Sequence, residues 1–354
     1  MEHTGSGLLR FVPRRCHALR ACLPTGAVLL CAAAPASAQT TLEARHGDGI
    51  WSLLERAGLA PTRAAIADFK RLNGGRLIRG ERLMVGRSYA LPGGRDGLGA
   101  ADSPVELVPL FGPRHERVQH KTDRLAGHVY YVVSGHGGPD PGTVGRYAGR
   151  PLPEDEIAYD VALRLARRLL EEGATVHVIV RDPDDGIRDD TRFDPDRDER
   201  YLGDRPISRS HVRRLRDQAA IINRLYDQHR ASAKRQRLLA LHVDARAWRH
   251  EPQIDVHFQV VSENGRRFGH VLLATFRDQY DRVQPGRGYD GTVEVRDLYL
   301  LRETKPVAAL VELGNIRHPR DQVRLTRAGN RQALAEWLVR GLLREAEVVQ
   351  AAAP

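Results

Sequence analysis

From Leu125 onward, short apolar runs alternate with stretches whose apolar residues recur every three or four positions, and few folds accommodate that alternation. Residues 128–133, 175–180, 238–242, 254–261 and 307–312 read as strands. Residues 154–172, 208–227, 271–280 and 330–346 read as helices. In the first helix Ile157, Val161, Leu165 and Leu169 share one face ahead of a closing Gly173. In the second the shared residues are Val212, Leu215, Ala219, Ile222 and Tyr226, and in the last they are Leu334, Trp337, Leu338 and Leu342. Strand runs without polar alternation must be covered on both faces. The expected fold class is therefore α/β, a mostly parallel, twisted sheet with helices on both faces.

In such sheets ligands bind beyond the carboxyl ends of the strands. The first strand ends there in Gly135-His136-Gly137-Gly138, where flanking glycines leave an imidazole uncovered. Glu154 opens the following helix, His242 ends the run 238–242, and Glu312 ends the run 307–312. Two imidazoles and two carboxylates at element boundaries are the inventory of a His/Glu/His zinc site with a further acid/base glutamate. Each residue also has a plainer reading. Glu154 suits a helix start by opposing the dipole, and His242 suits a satisfied core position. Glu156 is a rival ligand, and Asp155 a weaker one. Glu312, between Val311 and Leu313, is costly to bury without a partner, and burial would raise its pKa towards neutrality. The chain has no Gly-x-Ser-x-Gly elbow, and its glycine-rich turn lacks a phosphate loop's lysine.

Residues 1–38 combine Arg10, Arg14, Arg15 and Arg20, an apolar run 27–34 and Ala36-Ser37-Ala38, and so resemble a secretory signal peptide. The expected localisation is export, to the periplasm, cell envelope or beyond. Cys31 raises the alternative of a lipoprotein, although Leu30 stands where that processing wants a small residue. All three cysteines (Cys16, Cys22, Cys31) fall inside this segment. A mature chain without thiols excludes disulfides, cysteine nucleophiles and cysteine ligands, leaving His, Asp and Glu for any metal. The net charge of +10 becomes +7 once the segment's four arginines and Glu2 are set aside. That balance suits an anionic polymer such as a cell wall better than nucleic acid in an exported chain.

Residues 41–92 carry their own pattern: Ile50, Leu53 and Leu54 at helical spacing, a second helix ending at Asn73-Gly74, and β-like ends. This βααβ unit resembles a LysM module, whose family grips N-acetylglucosamine-containing glycans. Trp51 is expected in its core. Residues 93–124, broken by Gly93-Gly94, Pro104, Pro109 and Pro113, read as a linker from which Leu110 and Phe111 dock on the next domain. Residues 125–346 form the catalytic domain and 347–354 a flexible tail. An Asp/Arg-rich loop, 181–205, flanks a strand end and reads as a solvated surface loop or a gate.

Four motifs in order, Ser134-Gly135-His136-Gly137-Gly138-Pro139-Asp140-Pro141-Gly142, the helix start Glu154-Asp155-Glu156-Ile157, Leu241-His242-Val243-Asp244-Ala245 and Val311-Glu312-Leu313-Gly314-Asn315, carry a second resemblance. From Gly127 to about Glu345 the chain resembles the zinc-dependent N-acetylmuramoyl-L-alanine amidases. The resemblance implies that His136, Glu154 and His242 hold Zn2+ and that Glu312 is the catalytic glutamate. It also implies hydrolysis of the amide joining N-acetylmuramic acid to the L-alanine of the stem peptide. The implied partner is peptidoglycan, its glycan strands and stem peptides, with no nucleic acid and no membrane span. Activation by a second protein is left open. The chain departs from the family at Val133-Ser134, where Asp-Pro is usual, at Gly314-Asn315, where Gly-Phe is usual, and at Asp244, where asparagine is common. Two alternatives stand beside this reading: a non-catalytic peptidoglycan-binding or activator protein that keeps the fold, and a zinc peptidase of similar fold.

Overall fold

A computed structural model describes residues 41–45, 48–57, 59, 63–78, 82–92, 105–246 and 255–351. The signal-like segment, with its three cysteines, lies outside the described residues. The chain divides into two compact units, at Gly97/Leu98.

The first unit runs β1 (Thr41–Glu43), α1 (Ile50–Arg56), α2 (Arg63–Asn73), β2 (Ser88–Ala90), with β1 and β2 antiparallel. Leu53, Leu54, Phe69 and Tyr89 fill its core. Asn73 ties α2 to β2, donating to the Ala90 carbonyl while its own oxygen accepts from the Ala90 N–H. Trp51 is not in that core. It is 41 % exposed, because α1 turns Ile50, Leu53 and Leu54 inward and leaves position 51 on the flank.

The second unit begins with a hairpin, β3 (Val105–Leu107) and β4 (Arg117–Gln119), inside the stretch read as linker. Between the two strands Phe111 is buried against Tyr159 and Leu163. There follow β5 (His128–Ser134), the hairpin β6 (Val144–Tyr147) and β7 (Arg150–Pro153), α3 (Glu154–Glu171), β8 (Thr175–Val178), β9 (Val180–Arg181), β10 (Arg200–Tyr201), β11 (Arg205–Pro206) and α4 (His211–His229). The remainder is β12 (Arg235–Asp244), β13 (His257–Val260), α5 (Glu263–Val283), β14 (Val293–Val295), α6 (Tyr299–Glu303), β15 (Val307–Asn315), α7 (Pro319–Thr326) and α8 (Ala328–Ala351). Residues 347–351, read as tail, thus continue the last helix.

The main sheet has the order β14-β13-β15-β12-β5-β8. Its neighbours are parallel except β13 and β15, which pair antiparallel. Strand alternation sends Tyr130, Val132, Leu239 and Leu241 into the core beneath α3, α5 and α8. Val129, Tyr131, Val133, Leu238 and Ala240 face the core beneath α4 and α6. That two-sided burial is why the strand runs show no polar alternation. Among the described residues, no helix is long and apolar enough to cross a membrane.

One polar knot fastens α3 to α8. Asp160, fully buried, accepts from Arg331 Nε at 2.5 Å, from Arg164 Nε at 2.8 Å and from the Arg188 N–H at 2.7 Å. Arg331, also fully buried, gives its remaining protons to the carbonyls of Leu325, Thr326, Arg188 and Asp190. Removing one partner of a buried ion pair strands the other charge, which costs about 3–5 kcal/mol. Asp160→Ala is therefore expected to lower unfolding free energy by about that amount, read from the urea midpoint with an unchanged denaturant slope.

Candidate metal centre

β5 ends at Ser134, which is in register with Leu241 of β12, so the turn after β5 meets the residue after Leu241. That residue is His242. A methyl group on Gly135 would lie 2.3 Å from the His242 ring, so only glycine lets the turn pass. His136 has φ +65°, a left-handed conformation that non-glycine residues rarely adopt and that is held by its surroundings. His136 Nδ1 lies 3.0 Å from Asp140 Oδ2, which is clamped in turn by Arg214. The clamp presents the opposite nitrogen, Nε2, to Glu154 Oε1 at 3.2 Å.

Glu154 stands at the first position of α3, after Pro153, where the helix dipole favours a carboxylate. Backbone N–H groups of Val243 and Thr143 donate to its two oxygens, at 3.1 and 3.0 Å. His242 Nδ1 is 3.1 Å from Glu154 Oε1, and the two imidazoles meet edge to face with centroids 5.2 Å apart. A methyl on Gly142 would press on both the His136 ring, at 2.7 Å, and Glu154 Oε2, at 2.8 Å. One candidate ligand atom from each of His136, Glu154 and His242 lies within 4.8 Å of the others.

Charge is shared inside this trio. Burial pulls the His136 pKa down, but hydrogen bonds to Asp140 and Glu154 outweigh it and hold it up to about 10. Burial alone would raise Glu154, yet the bonds to His136 and His242 keep its carboxyl well below the usual range. A carboxylate between two imidazoles, one braced by a second carboxylate, is the donor set and outer support of a divalent metal site. The trio can hold such an ion.

Glu312 sits on β15 directly beside His242 on β12. Its Oε2 is buried and makes no hydrogen bond. Burial, then the negative charges of Asp244 and Glu154, push its carboxyl up to about 8.

The rival ligands point elsewhere. Glu156 Oε2 pairs with Arg188 at 2.7 Å, and Asp155 Oδ1 accepts from the Glu156 N–H at 2.9 Å. Sequence reasoning gave no role to the surrounding groups: Asp140 with Arg214, Asp244, and His257, whose strand position left its direction open and which is buried on β13 opposite Glu312 with its Nε2 3.7 Å from Asp244 Oδ2. Asp140 lies inside the quoted glycine-rich motif, four residues after His136, and that spacing was the available signal. More than half of the segment 181–205 is exposed, as a surface loop would be, but it is anchored at several points. Phe193, Glu199 and Tyr201 are buried, and Glu199 accepts the Gly138 N–H at 2.7 Å.

A match to the N-acetylmuramoyl-L-alanine amidase family spans residues 131–344, from β5 through most of α8. The chain belongs to that family. The amidase is 24 % identical over 223 residues to the germination-specific N-acetylmuramoyl-L-alanine amidase of Bacillus subtilis (strain 168), covering 62 % of this chain and 80 % of that one. Among solved structures it is similar to the amidase AmiC2 of Nostoc punctiforme, at 18 % identity and TM-score 0.44 over 63 % of this chain and 99 % of that one. It is also similar to the catalytic domain of CwlV from Bacillus (Paenibacillus) polymyxa, at 17 % identity and TM-score 0.44 over 62 % and 99 %. Its activity is that of a peptidoglycan amidase.

Proposed function

We propose that this amidase is zinc-dependent, that His136, Glu154 and His242 are the zinc ligands, and that Glu312 is the acid/base residue. The observation that carries the reading is the meeting of these three side chains at the end of β5, with Glu312 one strand away. A zinc ion in that place supplies Lewis acidity towards the amide carbonyl and makes water a nucleophile near neutral pH. Glu312 takes a proton from the attacking water and delivers it to the departing nitrogen, a task for a carboxyl whose pKa is raised towards neutrality. Asp140 and Arg214 orient His136. The products are a muramoyl lactyl carboxylate and a stem peptide with a free L-alanine amine.

The first unit is proposed to be a LysM-like wall anchor on an exported protein, a reading supported by its β-α-α-β order. Digestion of purified sacculi tests both parts. Free L-alanine amines should appear while the glycan strands stay intact, and peptides lacking muramic acid should survive. A chain without residues 41–92 should pellet less with sacculi while keeping its turnover of a short soluble muramoyl peptide. Cleavage of free peptides would favour a peptidase, and unchanged pelleting would remove the anchor.

A further inference from the structure

Beside the His/Glu/His trio, and sharing none of its residues, a second set of carboxylates converges. Asp182, Asp184, Asp196 and Asp198 each offer an oxygen within 4.8 Å of the others. Asp196 also belongs to a group with Glu156 and Asp185, and Glu156 to one with Asp155 and Glu199. Eight carboxylates thus line one contiguous wall. Arg188, paired with Glu156 and Asp185, is the cation that the ion pairs place within it.

Acidic clusters are common without ligands, but this one is bordered, through Asp196, by a buried carboxylate with an orphaned oxygen. Glu156 is 1 % exposed, its Oε2 is taken by Arg188, and its Oε1 is buried with no hydrogen-bond partner. Asp196 Oδ1 is likewise buried and unpartnered. A buried carboxylate oxygen without a donor is expensive to keep. Asp182 Oδ1 accepts from the N–H groups of Asp184 and Asp185, at 2.9 and 2.6 Å, which folds the segment so that its carboxylates face Asp196 and Asp198. The clustered aspartates fall at alternate positions, 196 and 198 on one side and 182 and 184 on the other, the spacing by which a loop turns successive carboxylates to one centre.

We infer that the segment 182–199 is a calcium site, in which Asp182, Asp184, Asp196 and Asp198 hold the ion and the wall through Glu156 completes its negative surround. The donors are all oxygen, many and charged, on a loop that can adjust. That combination suits calcium, which takes six to eight oxygens in flexible geometry, over magnesium, which demands a tight octahedron, and over zinc, which draws imidazole or thiolate. The site is separate from the proposed zinc centre but braces it. Glu156 lies two residues from Glu154 on the first turn of α3, and Glu199 holds the backbone two residues after His136. An ion here ties the 182–199 segment to the elements that present both ligands. Burial already pushes Asp182 up to about 7, against the two backbone hydrogen bonds that pull it down.

The test uses the full chain and calcium chloride alone as probe. Calorimetric titration and thermal melting are compared for the wild type, for Asp198→Asn, for Asp196→Asn/Asp198→Asn and for His136→Ala. The wild type and His136→Ala should take up calcium equally and melt several degrees higher with it, while magnesium at the same concentration gives less than half that shift. Both aspartate variants should bind calcium at least about tenfold more weakly, in line with affinity tracking the ligand charge count. Without calcium they should melt at or above the wild type, because repelling carboxylates have been removed. That rise distinguishes a lost ion from a damaged fold. No calcium uptake by the wild type, uptake by the double variant within twofold of it, equal response to magnesium, or loss of uptake in His136→Ala would each overturn the assignment. The last would place calcium at the histidines.

Discussion

Glu312→Gln is expected to lower the turnover of sacculi by about 10²–10⁴-fold, the usual worth of a positioned acid/base group, while substrate retention on the wall changes little. The replacement keeps the shape of the side chain and its place beside His242 but removes its proton chemistry. Had the residue served only to fill the sheet edge, the amide would be close to neutral for rate. Two pH measurements add readouts that packing alone would not move. A base must be ionised, so kcat/KM should rise with pH through the carboxyl's titration. That limb should lie below pH 8, because a bound dication lowers the value of about 8 set by burial, Asp244 and Glu154. For stability the sign is opposite. A carboxyl raised in the fold from its ordinary 4.5 to about 8 favours the protonated form, so its stabilising contribution is complete below pH 4.5 and is lost as pH climbs through about 8. In metal-free protein the wild type should therefore lose stability over that window faster than Glu312→Gln. Equal slopes and equal rates would remove Glu312 from the reaction.

Much of this centre was legible because its parts are local signals. The unbroken run of β5, the three-four spacing of Ile157, Val161, Leu165 and Leu169, and an imidazole flanked by glycines each follow from a few consecutive residues. Placing His136, His242 and Glu312 on one edge required only that the sheet be mostly parallel, as it is. What escaped was set by pairings between residues far apart in sequence. That β13 runs antiparallel to β15 has no sequence mark, and it is what brings His257 opposite Glu312. Asp140 gains its role from Arg214, seventy-four residues away. The segment 181–205 is largely exposed, as its polar composition suggests, but Asp182 and Glu199 are buried and Phe193 lies beneath Arg331, contacts that no local pattern marks. Trp51 misled in the other direction. An aromatic beside three core residues on a seven-residue helix still lies on the flank.

Stripping metal from the purified amidase is expected to abolish sacculus digestion, and one equivalent of zinc to restore it. His136→Ala should be as inactive as the stripped enzyme and should not recover with excess zinc, because one of the three proposed ligands is gone. Asp140→Ala should fall between. His136 would keep its place on the turn but lose the carboxylate that orients its ring, and such outer partners are worth about 10–100-fold in metal affinity. Asp140→Ala should therefore be weakly active at low zinc and recover as zinc is raised, a graded response that neither a folding defect nor a lost ligand produces. The ordering follows from the geometry: Glu154 Oε1 faces both imidazoles and is fixed by the Val243 N–H, so two of the three donors remain in position when Asp140 is removed. If His136→Ala recovered with zinc, or the stripped enzyme stayed active, the trio would not be the seat of the metal. The sheet edge would then have to work through Glu312 alone.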